Sequence, residues 1–276
     1  MRCALAVLLV VIGTATAEAR TVVERAQRGD TRAELSYDRR GDGVNATYRD
    51  FRLRIYEVDA IVVNTPLANC GTRCRRYAPA RFGRRDSIRV RDLNGGAPEV
   101  LVDFYTGGAY CCWLTVAYRA KGESYTGTAQ TWGPKRPRLT NVGGGRPEFI
   151  SFDDSFLGPY GCAACWRYLP HVWRFGEDGK FRDVTRRFPD RVRPSSKALR
   201  RKYFRASDRG GDVKPWLAAY VATTYLLERP RAGWRLVRRA LRRGELDERR
   251  GRYDFCPCGS AYPDALRRHL RRYDYL

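Results

Sequence analysis

Three oxygen-bearing side chains, Asp92, Asn94 and Glu99, sit in a glycine-rich stretch reading Asp92-Leu93-Asn94-Gly95-Gly96-Ala97-Pro98-Glu99. Oxygen donors gathered in a tight turn are what a calcium ion takes, usually six to eight at once. With backbone carbonyls near Gly96 this turn would offer about four, so calcium is the cofactor to test and no other is indicated. The same residues equally make a metal-free turn, with Asp92 accepting backbone amides and Gly95 and Gly96 supplying left-handed φ. A degenerate copy follows at Asn141-Val142-Gly143-Gly144-Gly145-Arg146-Pro147-Glu148, keeping only Asn141 and Glu148 of the oxygen donors.

Other groups offer less chemistry. Asp103, Asp153 and Asp154 are the carboxylates that a glycosidase-like hydrolase would need to bring together. Neighbouring strand residues point to opposite faces, so Asp153 and Asp154 converge only if a bulge intervenes. The chain has two histidines. His171 falls in an alternating strand pattern and His269 on the arginine-rich face of a helix. Spacing assembles no Ser/His/Asp or Cys/His constellation, and a non-enzymatic role is expected. Trp132, Tyr160, Trp166 and Tyr168 would suit a glycan if exposed, and a sheet core if not.

The cysteines bear on compartment. Residues 1–17 combine Arg2, an apolar run from Ala4 to Ile12 and an Ala15-Thr16-Ala17 end. This is the layout of a secretory signal peptide, cut after Ala17 or alternatively Ala19, and too short to span a bilayer. Beyond Cys3 the cysteines fall into four close pairs: Cys70/Cys74, Cys111/Cys112, Cys162/Cys165 and Cys256/Cys258. In an exported chain such pairs are read as disulfides, with zinc as the rival because Cys-x-x-Cys spacing suits a thiolate site. Eight cysteines allow 105 pairings, so connectivity stays open. The expected location is outside the cytoplasm, secreted or in the envelope, with no later stretch apolar enough to cross a membrane.

The formal net charge is +23, nearly all from arginine, with six lysines. Such a surface attracts polyanions: nucleic acid, anionic lipid or acidic wall polymers. A GC-rich coding bias would produce the same arginine-for-lysine composition. The densest candidates are Arg235, Arg238, Arg239, Arg242 and Arg243 on one expected helix and Arg267, Arg268, Arg271 and Arg272 on the last. Solvated helix faces are the plainer reading of both. Export argues against a specific nucleic acid partner and for an anionic wall polymer or glycan.

The elements that must position these groups change character along the chain. Alternation at period two marks strands at Ala33–Tyr37, Phe51–Tyr56, Ala60–Val63, Ser87–Val90, Val100–Tyr105, Trp113–Tyr118, Phe149–Asp153 and His171–Phe175. Glu177-Asp178-Gly179-Lys180 is a hairpin turn into Phe181–Thr185. Ser124–Arg138 reads as turn-rich. From Pro194 the period becomes about 3.6. Ser195 and Ser196 offer an N-cap for a helix to about Phe204, Asp212 caps a second, and Pro230 ends it. A third helix should turn Trp234, Val237 and Leu241 inward. A last one, from about Pro263 to Tyr273, should bury Leu266 and Leu270.

The Asp92–Val102 stretch resembles the FG-GAP/VCBS-type repeat, whose signature is an Asp-x-Asp-x-Asp-Gly loop followed by an acid and a strand. With Tyr105-Thr106-Gly107-Gly108-Ala109-Tyr110-Cys111-Cys112 after it, the chain is similar to exported bacterial proteins that place a TGGAHCC segment there. Gly179-Lys180-Phe181-Arg182-Asp183-Val184-Thr185-Arg186 matches the end of their second repeat. Here Tyr110 replaces the histidine, and glycine or alanine replaces several loop acids. The resemblance covers roughly residues 30–200 and implies blade-like antiparallel sheet, in too few repeats for a closed propeller.

The fold expected is therefore α+β: antiparallel, β-rich, propeller-blade-like sheets from two degenerate repeats, followed by an α-helical C-terminal region. Residues 1–17 form the signal peptide. A β-rich region runs from 18 to 190, with repeats near 88–118 and 139–185, and a helical region from 191 to 276. The expected role is an exported binding or envelope-associated module. Calcium-dependent recognition and, less favoured, a hydrolase are the alternatives.

Overall fold

A computed structural model describes residues 19–67, 78–79, 86–108, 111–143, 145–156, 158–160, 169–247 and 257–276. The side chains of residues 44, 78, 106–108, 111 and 112 lie outside that description. The expected signal peptide and Cys70, Cys74, Cys162, Cys165 and Cys256 also fall outside it, as do the side chains of Cys111 and Cys112.

Among the described residues three antiparallel sheets follow one another along the chain. The first is a meander in the order β1-β2-β3-β4, from β1 (Arg20–Arg28), β2 (Thr31–Arg40), β3 (Thr47–Glu57) and β4 (Ala60–Pro66). The second joins β7 (Glu99–Gly108), β8 (Cys111–Lys121) and β9 (Ser124–Thr131). On the outer side of β7 lie β5 (Ala78–Pro79) and β6 (Ile88–Arg91). The third is again a meander: β10 (Arg138–Thr140), β11 (Glu148–Asp153), β12 (Leu169–Phe175) and β13 (Phe181–Asp183). Each is an open, blade-like unit; among the described residues none closes into a barrel.

Among the described residues four helices follow the sheets: α1 (Pro189–Asp208), α2 (Lys214–Leu226), α3 (Pro230–Arg242) and α4 (Tyr262–Arg272). The architecture is α+β, with the sheets first and the helices last, as the change of period requires.

The period-two pattern places the cores. On β7, Val100, Val102 and Phe104 pack against Leu35, Leu53 and Ile55 of the first sheet. Leu101, one residue out of phase, joins Trp132, Phe149 and Phe175 toward the third. The middle sheet is thus buried on both faces, which explains the unbroken apolar run at its centre. The helical core is continuous with Phe156, Tyr160 and Leu169, so the third sheet links the two halves.

Several expectations are corrected. Ser124–Thr131 is a strand paired along β8, not a turn-rich loop. Its glycine conceals this: a Cβ at Gly127 would stand 2.8 Å from the Tyr118 ring, so the strand carries glycine to let that ring lie down. Strand β1 was not marked by the alternation at all. Helix α1 starts at Pro189, six residues before Ser195, and runs through Pro194. Proline suits the first helical position, and Val192, Ser196, Leu199 and Tyr203 hold the buried stripe across the second proline. Asp212 Oδ1 accepts the Lys214 amide at 3.0 Å, with Val213 the cap residue. Helix α2 is buried on nearly every side rather than along one face.

Helix α3 is rotated from the expected orientation. Gly233, Val237 and Ala240 face inward, Trp234 is half-buried, and Leu241 is exposed. The cause is close approach: a Cβ at Gly233 would lie 2.6 Å from Thr224 Oγ1 and 3.1 Å from Val221 Cα on α2. Only the glycine face fits there, and Leu241 is carried out to solvent.

Candidate anion-binding surfaces

The two glycine-rich turns share one device. Glu99, the first residue of β7, has no exposed surface, and its Oε2 accepts the amide of Leu93 at 2.9 Å. Glu148, the first residue of β11, is equally buried, and its Oε2 accepts the amide of Val142 at 3.1 Å. In both, a carboxylate at the strand entrance reaches back six residues and ties the turn to the sheet.

The oxygens proposed as calcium ligands are turned onto N–H groups. Asp92 Oδ1 accepts the amides of Asn94 at 3.2 Å and Gly95 at 2.6 Å. Asn94 Oδ1 accepts the Gly96 amide at 3.1 Å, and its Nδ2 donates to Glu99 Oε1 at 2.5 Å. Gly95 takes φ of +86°, the left-handed conformation that the turn needs. This is a hydrogen-bonded turn closed on itself, and it does not fit an oxygen cage: both Glu99 oxygens already hold donors. Burial, with Asp92 nearby, pushes the Glu99 carboxyl above the usual range, against the pull of the Leu93 amide.

The carboxylates considered for hydrolysis sit in two separate networks. Asp103 is buried and accepts Arg89 at 2.6 Å and Arg136 at 2.7 Å, both on Oδ2. Its Oδ1 accepts the Thr115 hydroxyl at 2.5 Å, and Trp132 Nε1 donates to that hydroxyl at 2.8 Å. Asp153 accepts the Ser155 amide at 2.8 Å, the Ser155 hydroxyl at 2.9 Å and the Tyr275 hydroxyl at 2.5 Å. Asp154 is raised by burial and by Asp153. Among the described residues no partner is shared between Asp103 and the other two.

His269 does not lie on the arginine face. Its Nε2 is 3.3 Å from Ser155 Oγ and its ring packs on Phe156 and Tyr160, so burial holds it down at about 4, neutral near pH 7. His171 approaches Asp183 at 3.4 Å and meets Trp173 edge-on. Trp132 and Tyr160, considered for glycan stacking, are core residues; Trp166 and Tyr168 lie outside the described residues. Cys258 Sγ stands 3.5 Å from the Nζ of buried Lys214.

The helical arginines divide in two. Arg239 packs over Phe204, Arg243 pairs with Glu245 at 3.0 Å, and Arg267 pairs with Asp264 at 2.8 Å. Arg235, Arg238 and Arg242 are exposed, and Arg231 extends them one turn toward the N-terminus. Their spacing of four, three and four puts all four on one stripe about 16 Å long at 1.5 Å per residue. No carboxylate among the described residues stands within ion-pair distance of any of them. Arg231 lies one turn before Arg235, the first arginine expected on this face, and its spacing of four is the signal that marks it.

This stripe adjoins basic faces on both sides. Phe204 of α1 lies between Arg200 at 5.1 Å and Arg239 at 5.4 Å, joining α1 to α3. Arg267 of α4 lies 4.8 Å over the Trp234 ring of α3. Lys197, Arg201 and Arg205 on α1 and Arg268, Arg271 and Arg272 on α4 are exposed around the two joints.

Residues 192–274, the span of these helices, match a family model described as the sll0997 C-terminal domain. No curated protein and no solved structure matches the chain.

Proposed function

We propose that this chain is an exported, non-enzymatic binding module that holds to an anionic polymer of the cell envelope through its helical end. The observation that carries this reading is the Arg231/Arg235/Arg238/Arg242 stripe, four exposed guanidiniums with no carboxylate among the described residues set against them. Some other surface arginines are answered locally, as Arg182 is by Asp178 and Arg193 by Asp190. A ladder of like charge, one guanidinium every 4.5 to 6 Å along the axis by helix geometry, suits a linear polymer with closely repeating charges. The apolar N-terminal stretch supports export, and core positions for Trp132 and Tyr160 favour charge over ring stacking as the means of contact.

The test is titration of the mature protein with a soluble phosphodiester polymer from 50 to 200 mM salt. Binding should weaken steeply with salt. Replacing the stripe (R231Q/R235Q/R238Q/R242Q) should flatten the log–log salt slope by about 3, since each lost charge removes roughly 0.7 to 0.9. An unchanged slope, or no binding by the unaltered protein at the lower salt, would sink the proposal.

A further inference from the structure

The two glycine-rich turns confront each other. A Cβ at Gly95 in the first would lie 3.9 Å from a guanidinium nitrogen of Arg146 in the second. Between them opens a groove of two adjoining lobes, about 400 and 370 Å³, which share Arg91 and Leu139. Among the described residues six arginines line it: Arg28 and Arg146 in one lobe, Arg89, Arg136 and Arg138 in the other, and Arg91 in both.

The charge is not balanced from within. Asp92 and Asp86 line the groove, Asp103 lies beneath it, and Glu177 holds Arg146 at 2.8 Å. Among the described residues, six guanidiniums against four carboxylates leave two positive charges. They fall on Arg28, Arg91 and Arg138, which have no carboxylate within ion-pair distance among the described residues, and on the Arg89/Arg136 pair, which shares one carboxylate. Arg89 Nε and Arg136 Nη1 are buried with no hydrogen-bond partner among the described residues. Burial lowers the Arg89 guanidinium; Asp103 draws it back up, and the Arg136 and Arg91 charges press it down again.

We infer that this groove is a binding site for a phosphate group. Arg28, Arg91 and Arg138 come from the ends of β1, β6 and β10, so guanidiniums approach from three strands. A tetrahedral dianion offers oxygens in three directions and cancels the two excess charges; a planar, singly charged carboxylate does neither. The site stands apart from the helical stripe and does not rest on the reading proposed for it.

The experiment is a thermal melt at constant ionic strength with inorganic phosphate, chloride or acetate. A ligand that binds only the folded chain raises its midpoint. Phosphate should give a saturating rise that chloride and acetate do not. The rise should vanish in R91Q/R138Q, whose replaced side chains are both exposed, and persist in the α3 stripe variant. R28Q, on a different strand, should weaken the response alone and so separates ligand loss from a folding defect. A phosphate rise no greater than that with chloride, or one retained in R91Q/R138Q, overturns the inference.

The source of the phosphate is read in the stripe variant. Displacement of a bound polymer that carries phosphomonoester groups by inorganic phosphate assigns the groove to a phosphate carried on a polymer. Phosphate binding without polymer binding assigns it to the free ion. A wild-type protein that takes phosphate but no polymer would refute the helical reading and leave this one standing.

Discussion

The turns at Asp92 and Asn141 are built alike and balanced differently. Each ends on a fully buried glutamate that takes the amide six residues back. The first glutamate completes its bonding inside its own turn, with the neutral amide of Asn94. The second has glycine at the matching position, Gly143, and takes the guanidinium of Arg174 from β12 instead. What both copies keep is the tie between turn and strand; what varies is whether the second partner is local and neutral or distant and charged. The acid that resembles a metal ligand is thus a structural fastening in both places.

Replacing the two glutamates tests that contrast. Glu148→Ala would leave Arg174 partly buried without its partner and should cost about 3–5 kcal/mol, the range for breaking a buried pair. Glu99→Ala removes the acceptor of two neutral donors and should cost about 2 kcal/mol. Urea denaturation of both variants measures the difference; equal losses would mean that the distant charge adds nothing.

A weaker effect concerns pH. Because the Glu99 carboxyl titrates above its ordinary range, the folded chain holds that proton more tightly than the unfolded chain. Its contribution is full below the ordinary glutamate range and is lost as pH rises through the raised value. Glu99→Gln should flatten this component of the stability profile, and a profile that keeps its slope would remove Glu99 as the source. The smallest expected effect belongs to calcium. With both Glu99 oxygens and Asp92 Oδ1 committed to N–H donors, calcium or a chelator should leave the melting midpoint within about 1 °C. A calcium-specific rise would show that the turn reopens to hold the ion.

Much of the fold was legible because its signals are local. The Gly-rich run, the glutamate and the apolar strand after it mark each repeat, and Pro263 marks a helix start; Pro230, expected only to end the second helix, also opens α3. Glycine also hid two things: the strand character around Gly127 and the true inward face of α3 at Gly233. Each rests on a close contact with a residue elsewhere, Tyr118 in one case and Val221 in the other. The role of Glu99 was ambiguous for another reason, since six residues is a suitable distance both for a ligand loop and for an acceptor reaching back to an amide. The groove was not legible at all. Arg28, Arg91 and Arg138 are far apart in the chain and ordinary in their local setting, and only the meeting of three strand ends gives them a common purpose.

The Tyr275 hydroxyl meets Asp153 across 122 residues of chain, and Arg186 holds the carbonyls of Asp274 at 3.2 Å and Tyr275 at 2.8 Å. The buried end of β11 is therefore completed by a side chain synthesised long after it. A chain that emerges N-terminus first can pair its sheets in order, yet it must keep one carboxylate waiting for the helices to arrive. The contacts of Tyr275 and Arg186 thereby tie the third sheet to the residues that follow α4.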